Sequence, residues 1–179
     1  MKKIALAAMI SLVAGGAMAQ AYVGVGVGQS KIPTDCVAGV TCKDTDTGYK
    51  LYGGYMFNKF VGAELGYIDF GKATIDVSFA HAEVKAHAVT LAAVGRGELG
   101  AGFSGVGRLG MANSSIDETS NFGFADSGST TKLYWGLGLE YAFSKQIKGA
   151  LMYDHTDGKT EGGDSGSLRL ISVGIQAHF

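Results

Sequence analysis

The sequence predicts an all-β protein, an eight-stranded antiparallel up-and-down transmembrane β-barrel. One observation behind this prediction is that segments of about ten residues alternate between apolar and small or polar side chains, with turn residues between them. The other is that long polar connections alternate with short ones. Short turns at one end and long loops at the other are typical of a barrel whose two chain ends lie on the same side of the membrane.

The alternating segments can be followed along the whole chain. They cover residues 20–29, 47–57, 60–70, 84–94, 103–112, 132–143, 147–154 and 169–179. The sixth is the clearest, because six large apolar side chains occupy every second position: Leu133, Trp135, Leu137, Leu139, Tyr141 and Phe143. We predict short turns at 58–59, 95–102 and 144–146, and cell-surface loops at 30–46, 71–83, 113–131 and 155–167.

Aromatic residues indicate two belts at the two membrane interfaces. Phenylalanines lie at the turn-side ends of the predicted strands, and tyrosines with the single tryptophan lie toward the long loops: Phe57, Phe103, Phe143 and Phe179 on one side, Tyr49, Tyr67, Trp135 and Tyr153 on the other. A soluble β-sandwich would also show alternation and turns, but it would not need lipid-compatible outer faces on every strand.

The stretch AYVGVGVGQS, residues 21–30, has glycine at every second position. A nucleotide-binding loop needs the spacing G-x-G-x-x-G before a helix, whereas the spacing here is G-x-G-x-G and Pro33 follows shortly after. We therefore interpret it as a strand with Val23, Val25 and Val27 facing lipid. Its three glycines, at positions 24, 26 and 28, then face a crowded lumen and leave room for larger neighbours.

Residues 1–19 have the pattern of a cleaved signal peptide. Lys2 and Lys3 precede a short apolar run, and Ala17-Met18-Ala19 forms the cleavage pattern. Residues 20–179 are then a single outer-membrane barrel domain. With Lys2 and Lys3 removed the chain is mildly acidic, which does not favour nucleic acid as a partner.

Cys36 and Cys42 are the two cysteines of the chain and lie six positions apart in a polar stretch. A signal peptide would send them to an oxidising compartment, so we predict that they form a disulfide. A metal site is the alternative, but the nearby ligands are aspartates without a histidine.

The chain resembles the small eight-stranded outer-membrane barrels: the OmpA transmembrane domain, OmpX and the opacity surface antigens. The stretches that carry the resemblance are AYVGVGVGQS, YGGYMFNKFVGAELGYIDFG and LISVGIQAHF. The resemblance covers the whole predicted mature chain and implies integral insertion in the outer membrane of a Gram-negative bacterium. It also implies that the last strand carries an outer-membrane assembly signal, with Val173, Ile175 and Ala177 at alternate positions before the terminal Phe179.

Three charged residues are predicted to face the lumen at similar height: Glu64, Arg108 and Glu140. An arginine between two carboxylates can satisfy both, and buried charges need such partners. A proton or ion path, or a gate, is the alternative function of this cluster. Catalysis by the two carboxylates is disfavoured because the arginine would keep both ionised.

The function predicted from the sequence is non-enzymatic: envelope integrity, adhesion or surface interaction through exposed loops. A narrow channel or small-molecule conduit is the second hypothesis, and lipid A modification is the third. The third is weakened because His155 lacks the His-x-Ser pattern of lipid A deacylases, and Ser165 and Ser167 fall in a predicted loop.

We expect a monomer without cofactor or metal. His81, Glu83, Lys85 and His87 could form a divalent-cation site. An acidic loop could do the same together with lipopolysaccharide phosphates, through Asp154, Asp157, Glu161 and Asp164. Solvation is preferred for the first and explains the second equally well. The expected partners are outer-membrane lipid and lipopolysaccharide, the assembly machinery, and a host or environmental ligand of the loops.

Overall fold

The computed structural model describes residues 21–32, 41–77, 80–120, 125–159 and 165–179. Within these ranges the chain forms nine strands: β1 (Ala21–Lys31), β2 (Thr41–Lys43), β3 (Thr45–Met56), β4 (Val61–Val77), β5 (Ala80–Gly100), β6 (Phe103–Ser120), β7 (Ala125–Ala142), β8 (Ile147–Lys159) and β9 (Ser165–His178). Over the same ranges, no helix is long and apolar enough to cross a membrane.

The strands form one closed antiparallel sheet. Its order is β2-β4-β3-β1-β9-β8-β7-β6-β5, and an additional pairing of β4 with β5 joins its two sides. β1 pairs with β3 on one side and with β9 on the other. The short β2 pairs only with the part of β4 that continues beyond the end of β3. The barrel itself is therefore made of eight long strands. The predicted fold class is confirmed.

Alternation sorts the side chains as the sequence predicts. The outward side chains of every long strand are apolar and exposed over the membrane-spanning part, for example Val25, Leu51, Leu91, Leu137 and Ile175. Their neighbours in sequence face the lumen and are buried, among them Tyr52, Thr90 and Gln176. Each strand therefore presents one face to lipid and the other to the barrel interior.

Short turns close one end of the barrel, which we call the turn end. At the first turn the Asn58 side chain accepts hydrogen bonds from the backbone N–H groups of Phe60 and Val61, at 2.8 and 2.9 Å. Ser144 does the same for Gln146 and Ile147 at 3.2 and 3.0 Å. The middle turn passes through Gly100, Ala101 and Gly102, all at positive φ, where two glycines avoid backbone strain.

At the opposite end, the loop end, the strands run further than predicted. Much of the predicted loops 71–83 and 113–131 belongs to β4, β5, β6 and β7, and the predicted turn 95–102 is mostly the end of β5. The sequence prediction was wrong here for a physical reason. The apolar alternation stops where lipid stops, whereas backbone hydrogen bonding between antiparallel strands continues in water.

The lumen is filled by side chains. Tyr22, Tyr52, Ile68, Phe70 and Leu170 are all at most 2% exposed. A Cβ added at Gly24 would run into the Tyr52 ring, and one added at Gly54 would meet the Tyr22 ring at 2.5 Å. Gly24 thus makes space for a tyrosine, as the interpretation of residues 21–30 expects. Gly28 instead allows the close approach of the Ile171 backbone, and a Cβ at Gly26 would make ordinary contacts of 3.4 Å or more.

A gel-mobility experiment checks the closed barrel. The unboiled protein is expected to migrate differently from the boiled protein, because a closed hydrogen-bonded barrel resists detergent. Gly28→Ala should weaken or abolish the shift, since its Cβ would collide with the backbone of Ile171. Gly107→Ala is the matched control, because nothing lies within 4 Å of its Cβ. An absent shift in the unmutated protein would contradict the fold.

Candidate functional site

Four charged side chains from four strands meet in the lumen and form what we call the lumen cluster: Lys50 on β3, Glu64 on β4, Arg108 on β6 and Asp154 on β8. Each side chain is at most 1% exposed. Lys50 Nζ lies 2.8 Å from Asp154 Oδ1 and 3.7 Å from Glu64 Oε1. Arg108 Nε donates to Glu64 Oε1 at 2.8 Å. Two positive and two negative groups balance, as buried charges require.

Tyrosines complete the lumen cluster. Tyr22 donates to Glu64 Oε2 at 2.9 Å, and Lys50 donates to the Tyr134 hydroxyl at 3.0 Å. Tyr134 in turn donates to Asp154. The Tyr52 ring lies 5.0 Å from Lys50 Nζ and 5.5 Å from the Arg108 guanidinium carbon, both within cation–π range. The cluster is a connected network of ion pairs and hydrogen bonds. Removing one side chain therefore lowers the stability of the barrel by more than the loss of one isolated contact would.

A second group, the turn-end cluster, surrounds Glu140 on β7. Arg96 Nε lies 2.9 Å from Glu140 Oε2, and Lys148 Nζ lies 3.5 Å from the same oxygen. Gln176 donates to Glu140 Oε1 at 2.8 Å. The Arg96 guanidinium also lies 5.2 Å from the centre of the Tyr22 ring, which links the two clusters. Two cations share one carboxylate, so this cluster carries one excess positive charge.

The structure therefore brings together two of the three lumen charges that the sequence grouped. Glu64 and Arg108 form a direct pair, but Glu140 belongs to the turn-end cluster. The expectation of similar height was wrong, because the register pairs Arg108 with Gly136 and Glu140 with Ser104. Four residues separate these rows along the strand, or about 13 Å at the rise of a β-strand.

Sequence reasoning missed Lys50, Asp154 and Arg96 as members of these clusters. Lys50 occupies a lumen-facing position in the alternating pattern of its strand, but nothing in the sequence indicates which carboxylate it pairs with. Asp154 ends the predicted strand 147–154 and is grouped by sequence with the acidic loop, whereas the structure buries it at 0% exposure beside Lys50. Arg96 was assigned to the turn 95–102, and the unexpected length of β5 carries it into the lumen. Extending the alternation past the apolar residues places Arg96 in the lumen, whereas Lys50 and Asp154 already occupy lumen positions of their predicted strands.

The outer face near the loop end also differs from expectation. Ser165 and Ser167 lie in β9, not in a loop, and Ser167 is paired across the ladder with Asp157. His155 Nε2 is 3.7 Å from Asp157 Oδ1. Ser167 Oγ accepts a hydrogen bond from Arg169 at 3.3 Å, and no contact between this serine and His155 is observed in the described part of the chain. The hydrogen-bond partner of Ser167 within the described residues is therefore the Arg169 guanidinium.

Other sequence predictions fall partly or wholly outside the described residues. Cys36 lies outside them, so the disulfide with Cys42 stays a prediction, as does the signal peptide. Val173, Ile175 and Ala177 alternate on the outward face of β9, and the Phe179 backbone N–H donates to the Ala21 carbonyl at 2.9 Å. Their role as an assembly signal also stays a prediction. Among the described residues, no group of three His, Cys, Asp or Glu side chains is placed to hold a metal ion.

The closed sheet, the apolar outer face and the ion-paired lumen define the class of protein: an integral outer-membrane β-barrel. Comparison with protein families then gives the particular family. Residues 17–179 match the model of the OmpA-like transmembrane domain, and the chain belongs to that family. A comparison with curated protein sequences gave no match.

Solved structures support the same fold. Ail of Yersinia pestis, in complex with the heparin analogue sucrose octasulfate, aligns with a TM-score of 0.63 at 20% identity over 91% of this chain and 100% of Ail. Neisserial surface protein A gives 0.69 at 12% identity over 89% and 97% of the two chains. OprG of Pseudomonas aeruginosa gives 0.61 at 19% over 92% and 99%. Membership of the OmpA-like transmembrane domain family places the protein in the outer membrane of a Gram-negative bacterium, with short turns expected on the periplasmic side.

Substitution in the lumen cluster tests its structural weight. Glu64→Gln should lower the free energy of unfolding by about 3 kcal/mol, because it leaves the buried Arg108 and Lys50 with one carboxylate. The measurement is urea unfolding of the barrel refolded into lipid vesicles.

The control for this experiment removes both partners. Glu64→Gln combined with Arg108→Met should recover part of the loss, whereas Lys59→Gln in the exposed first turn should change stability by less than about 0.5 kcal/mol. Equal effects of Glu64→Gln and Lys59→Gln would contradict a structural role for the cluster.

Proposed function

We propose that this protein is a non-catalytic outer-membrane barrel that acts by surface interaction, in adhesion and in envelope integrity, through a sheet that projects from its loop end. The observation that carries this proposal is the continuation of four strands beyond the aromatic belt. Tyr67 on β4 and Trp135 on β7 mark the belt, whereas β4 continues to Val77 and β7 begins at Ala125.

The projecting part is a continuation of the barrel sheet, which we call the loop-end sheet. It consists of β2, residues 72–77 of β4, 80–88 of β5, 113–120 of β6 and 125–133 of β7. The β7–β8 ladder begins only at Tyr134 and Thr156. In the described part of the chain, residues 125–133 of β7 therefore pair with β6 alone. Such an edge offers backbone donors and acceptors to an extended partner.

The filled lumen is a second observation that supports the proposal. Tyr22, Lys50, Tyr134 and Gln176 are all at most 2% exposed, so little space is left for a solute. Ser167 and His155 on the outer face are not hydrogen-bonded to each other, which favours a non-enzymatic role. The largest surface that remains available for a function is then the loop-end sheet, which can contact another molecule outside the membrane. The Ail structure, in its complex with a heparin analogue, suggests a sulfated polysaccharide as the first ligand to test.

Shortening the hairpins tests the proposal. Residues 74–83 and 116–128 are each replaced by Asn-Gly, because Ala73 faces Val84 and Ser115 faces Ser129 across their ladders, which suits a two-residue turn. The variant should keep the heat-dependent gel shift and lose adhesion of expressing cells to immobilised heparin and to epithelial cells.

Envelope integrity is measured in the same strains as survival in detergent. A deletion strain should be sensitive, and the shortened variant should restore resistance because its barrel is intact. Unchanged adhesion by the shortened variant would overturn the role of the loop-end sheet. A single Lys59→Gln change at the turn end is the matched control and should leave adhesion unaltered.

A narrow conduit is the second candidate, and one observation favours it. The Nη1 and Nη2 atoms of Arg108 and Oδ2 of Asp154 are buried in the lumen without a hydrogen-bond partner. Such groups could accompany a small ion if the cluster rearranged.

Planar-bilayer recording distinguishes the two candidates. Because the Glu64–Arg108 and Arg96–Glu140 pairs bridge the lumen, we expect no steady single-channel openings from the unmutated protein. Arg96→Ala and Arg108→Ala together should raise conductance if these pairs are what closes the path. Steady openings of the unmutated barrel would favour the conduit.

A further inference from the structure

The ladder between β3 and β4 is interrupted at the loop end of the barrel. It ends where Tyr49 pairs with Asp69, and β4 takes up β2 as its next partner only from Thr74 onward. In the described part of the chain, residues 45–48 of β3 pair with β1 alone, and residues 70–73 of β4 have no ladder partner on this side. The backbone groups that are freed here must be satisfied in another way.

Two carboxylates bind the freed backbone. Asp46 Oδ2 accepts a hydrogen bond from the Lys72 backbone N–H at 2.9 Å, and Asp69 Oδ1 accepts one from the Gly71 N–H at 2.8 Å. The register of β4 against β5 shifts between Asp69 and Lys72, and Gly71 lies at a positive φ of 73°. A Cβ there would meet Asp46 Oδ2 at 2.7 Å, so the glycine lets this carboxylate approach. The bulge thus holds both carboxylates in fixed positions.

A cavity of ≈ 380 Å³, which we call the wall pocket, opens beside this bulge. Its volume lies within the range of small-molecule sites, about 300–1,000 Å³. Lys72 and Lys85 face each other across the β4–β5 ladder, and Asp69 is paired with Tyr49 on one side and with His87 on the other. Two carboxylates and two ammonium groups line the pocket, so their charges balance. The side chains that carry its chemistry are Asp46, Tyr49, Asp69, Lys72, Lys85 and His87.

The wall pocket lies at the outer edge of the membrane. Tyr49 lines it and belongs to the loop-side aromatic belt, whereas Leu51, further toward the turn end, is exposed on the lipid face. Tyr67 supports the pocket from β4, because its ring lies 6.0 Å from the His87 ring. Tyrosine concentrates at the interface between membrane and water. The pocket is therefore reachable from outside the hydrocarbon layer.

The balance of charge decides which class of ligand fits. A polyanion would be attracted by the two lysines and repelled by the two carboxylates, so the pocket has no net charge to hold it. A sugar hydroxyl can donate to a carboxylate and accept from an ammonium group, and each ammonium group has three N–H donors. Tyr49 is 57% exposed, and its ring provides an apolar face for the C–H groups of a pyranose. These features match a neutral sugar.

We propose that the wall pocket binds one hexose unit of a neutral glycan outside the cell. The carboxylates of Asp46 and Asp69 accept from its hydroxyl groups, the two lysines donate to them, and the sugar ring lies against Tyr49. The inference deepens the proposed surface role and rests on it. Its residues, however, are all kept in the variant with shortened hairpins, so loss of adhesion and loss of hexose binding are measured separately.

Saturation-transfer NMR of the purified barrel tests the pocket, with lactose, maltose and methyl α-mannoside as probes. The detergent must lack a sugar head group, because an alkyl glucoside is itself a hexose. At least one probe should bind, and Asp69→Asn and Tyr49→Leu should each weaken its binding by about fivefold or more. Asparagine can still accept the hydrogen bond from the Gly71 N–H, so the bulge is kept.

Each pocket variant has a matched control. Tyr55→Leu changes an exposed tyrosine on the same face of β3 at the turn end, and Asp157→Asn changes an exposed aspartate on β8. Both controls should bind the probe as the unmutated protein does, and so should the variant with shortened hairpins. The gel shift verifies that every variant is folded.

Further measurements identify the class of ligand. Binding should change by less than about twofold between about 50 and 500 mM salt, because a neutral sugar has no charge to screen. Sucrose octasulfate at the same concentration should not displace the bound probe. In vesicles that contain lipopolysaccharide with a hexose core, the free sugar should still bind.

Several results would overturn the neutral-hexose site: failure of all three probes, equal binding by a pocket variant and its matched control, loss of binding in the folded shortened variant, strong salt dependence, or displacement by sucrose octasulfate. Loss of free-sugar binding in lipopolysaccharide vesicles would assign the pocket to the membrane's own glycan and overturn an external ligand. If the shortened variant keeps adhesion while the pocket variants lose hexose binding, the wall pocket stands and the adhesive role of the loop-end sheet fails.

Discussion

The antiparallel pairing of β1 with β9 is the constraint on which the rest of the structure depends. In the hydrocarbon layer there is no water to satisfy backbone N–H and C=O groups, so a sheet can cross only if its first and last strands close it. With eight strands, closure leaves an interior just wide enough for side chains. The narrow lumen, the buried ion pairs and the glycines of the seam all follow from that closure.

The narrow lumen explains why the interior charges occur in pairs from different strands. A lysine at 0% exposure needs a carboxylate within contact distance, and Lys50 has Asp154 at 2.8 Å. The same crowding explains the lumen-facing glycines at positions 24 and 54, because a larger side chain there would clash with the rings of Tyr52 and Tyr22. Charges and glycines are thus two consequences of one geometric limit. The interior that results is better suited to holding the barrel together than to admitting a substrate.

The outer surface divides by height into regions with different chemistry. The central band is apolar, and the aromatic residues mark its edges. Above it, the loop-end sheet continues the ladders of β4 to β7 away from the membrane.

The sequence by itself determined the fold class, the lipid-facing residues and the role of Gly24 as space for a larger side chain. It could do so because a two-residue period shows which face of a strand meets lipid. Only the tertiary structure decided which charges meet, because partners such as Lys50 and Asp154 are more than a hundred residues apart and the strand register sets their height. For the same reason Glu140 pairs with Arg96 and not with Arg108. Tertiary structure also decided where the strands end, because backbone pairing continues after the apolar alternation has stopped.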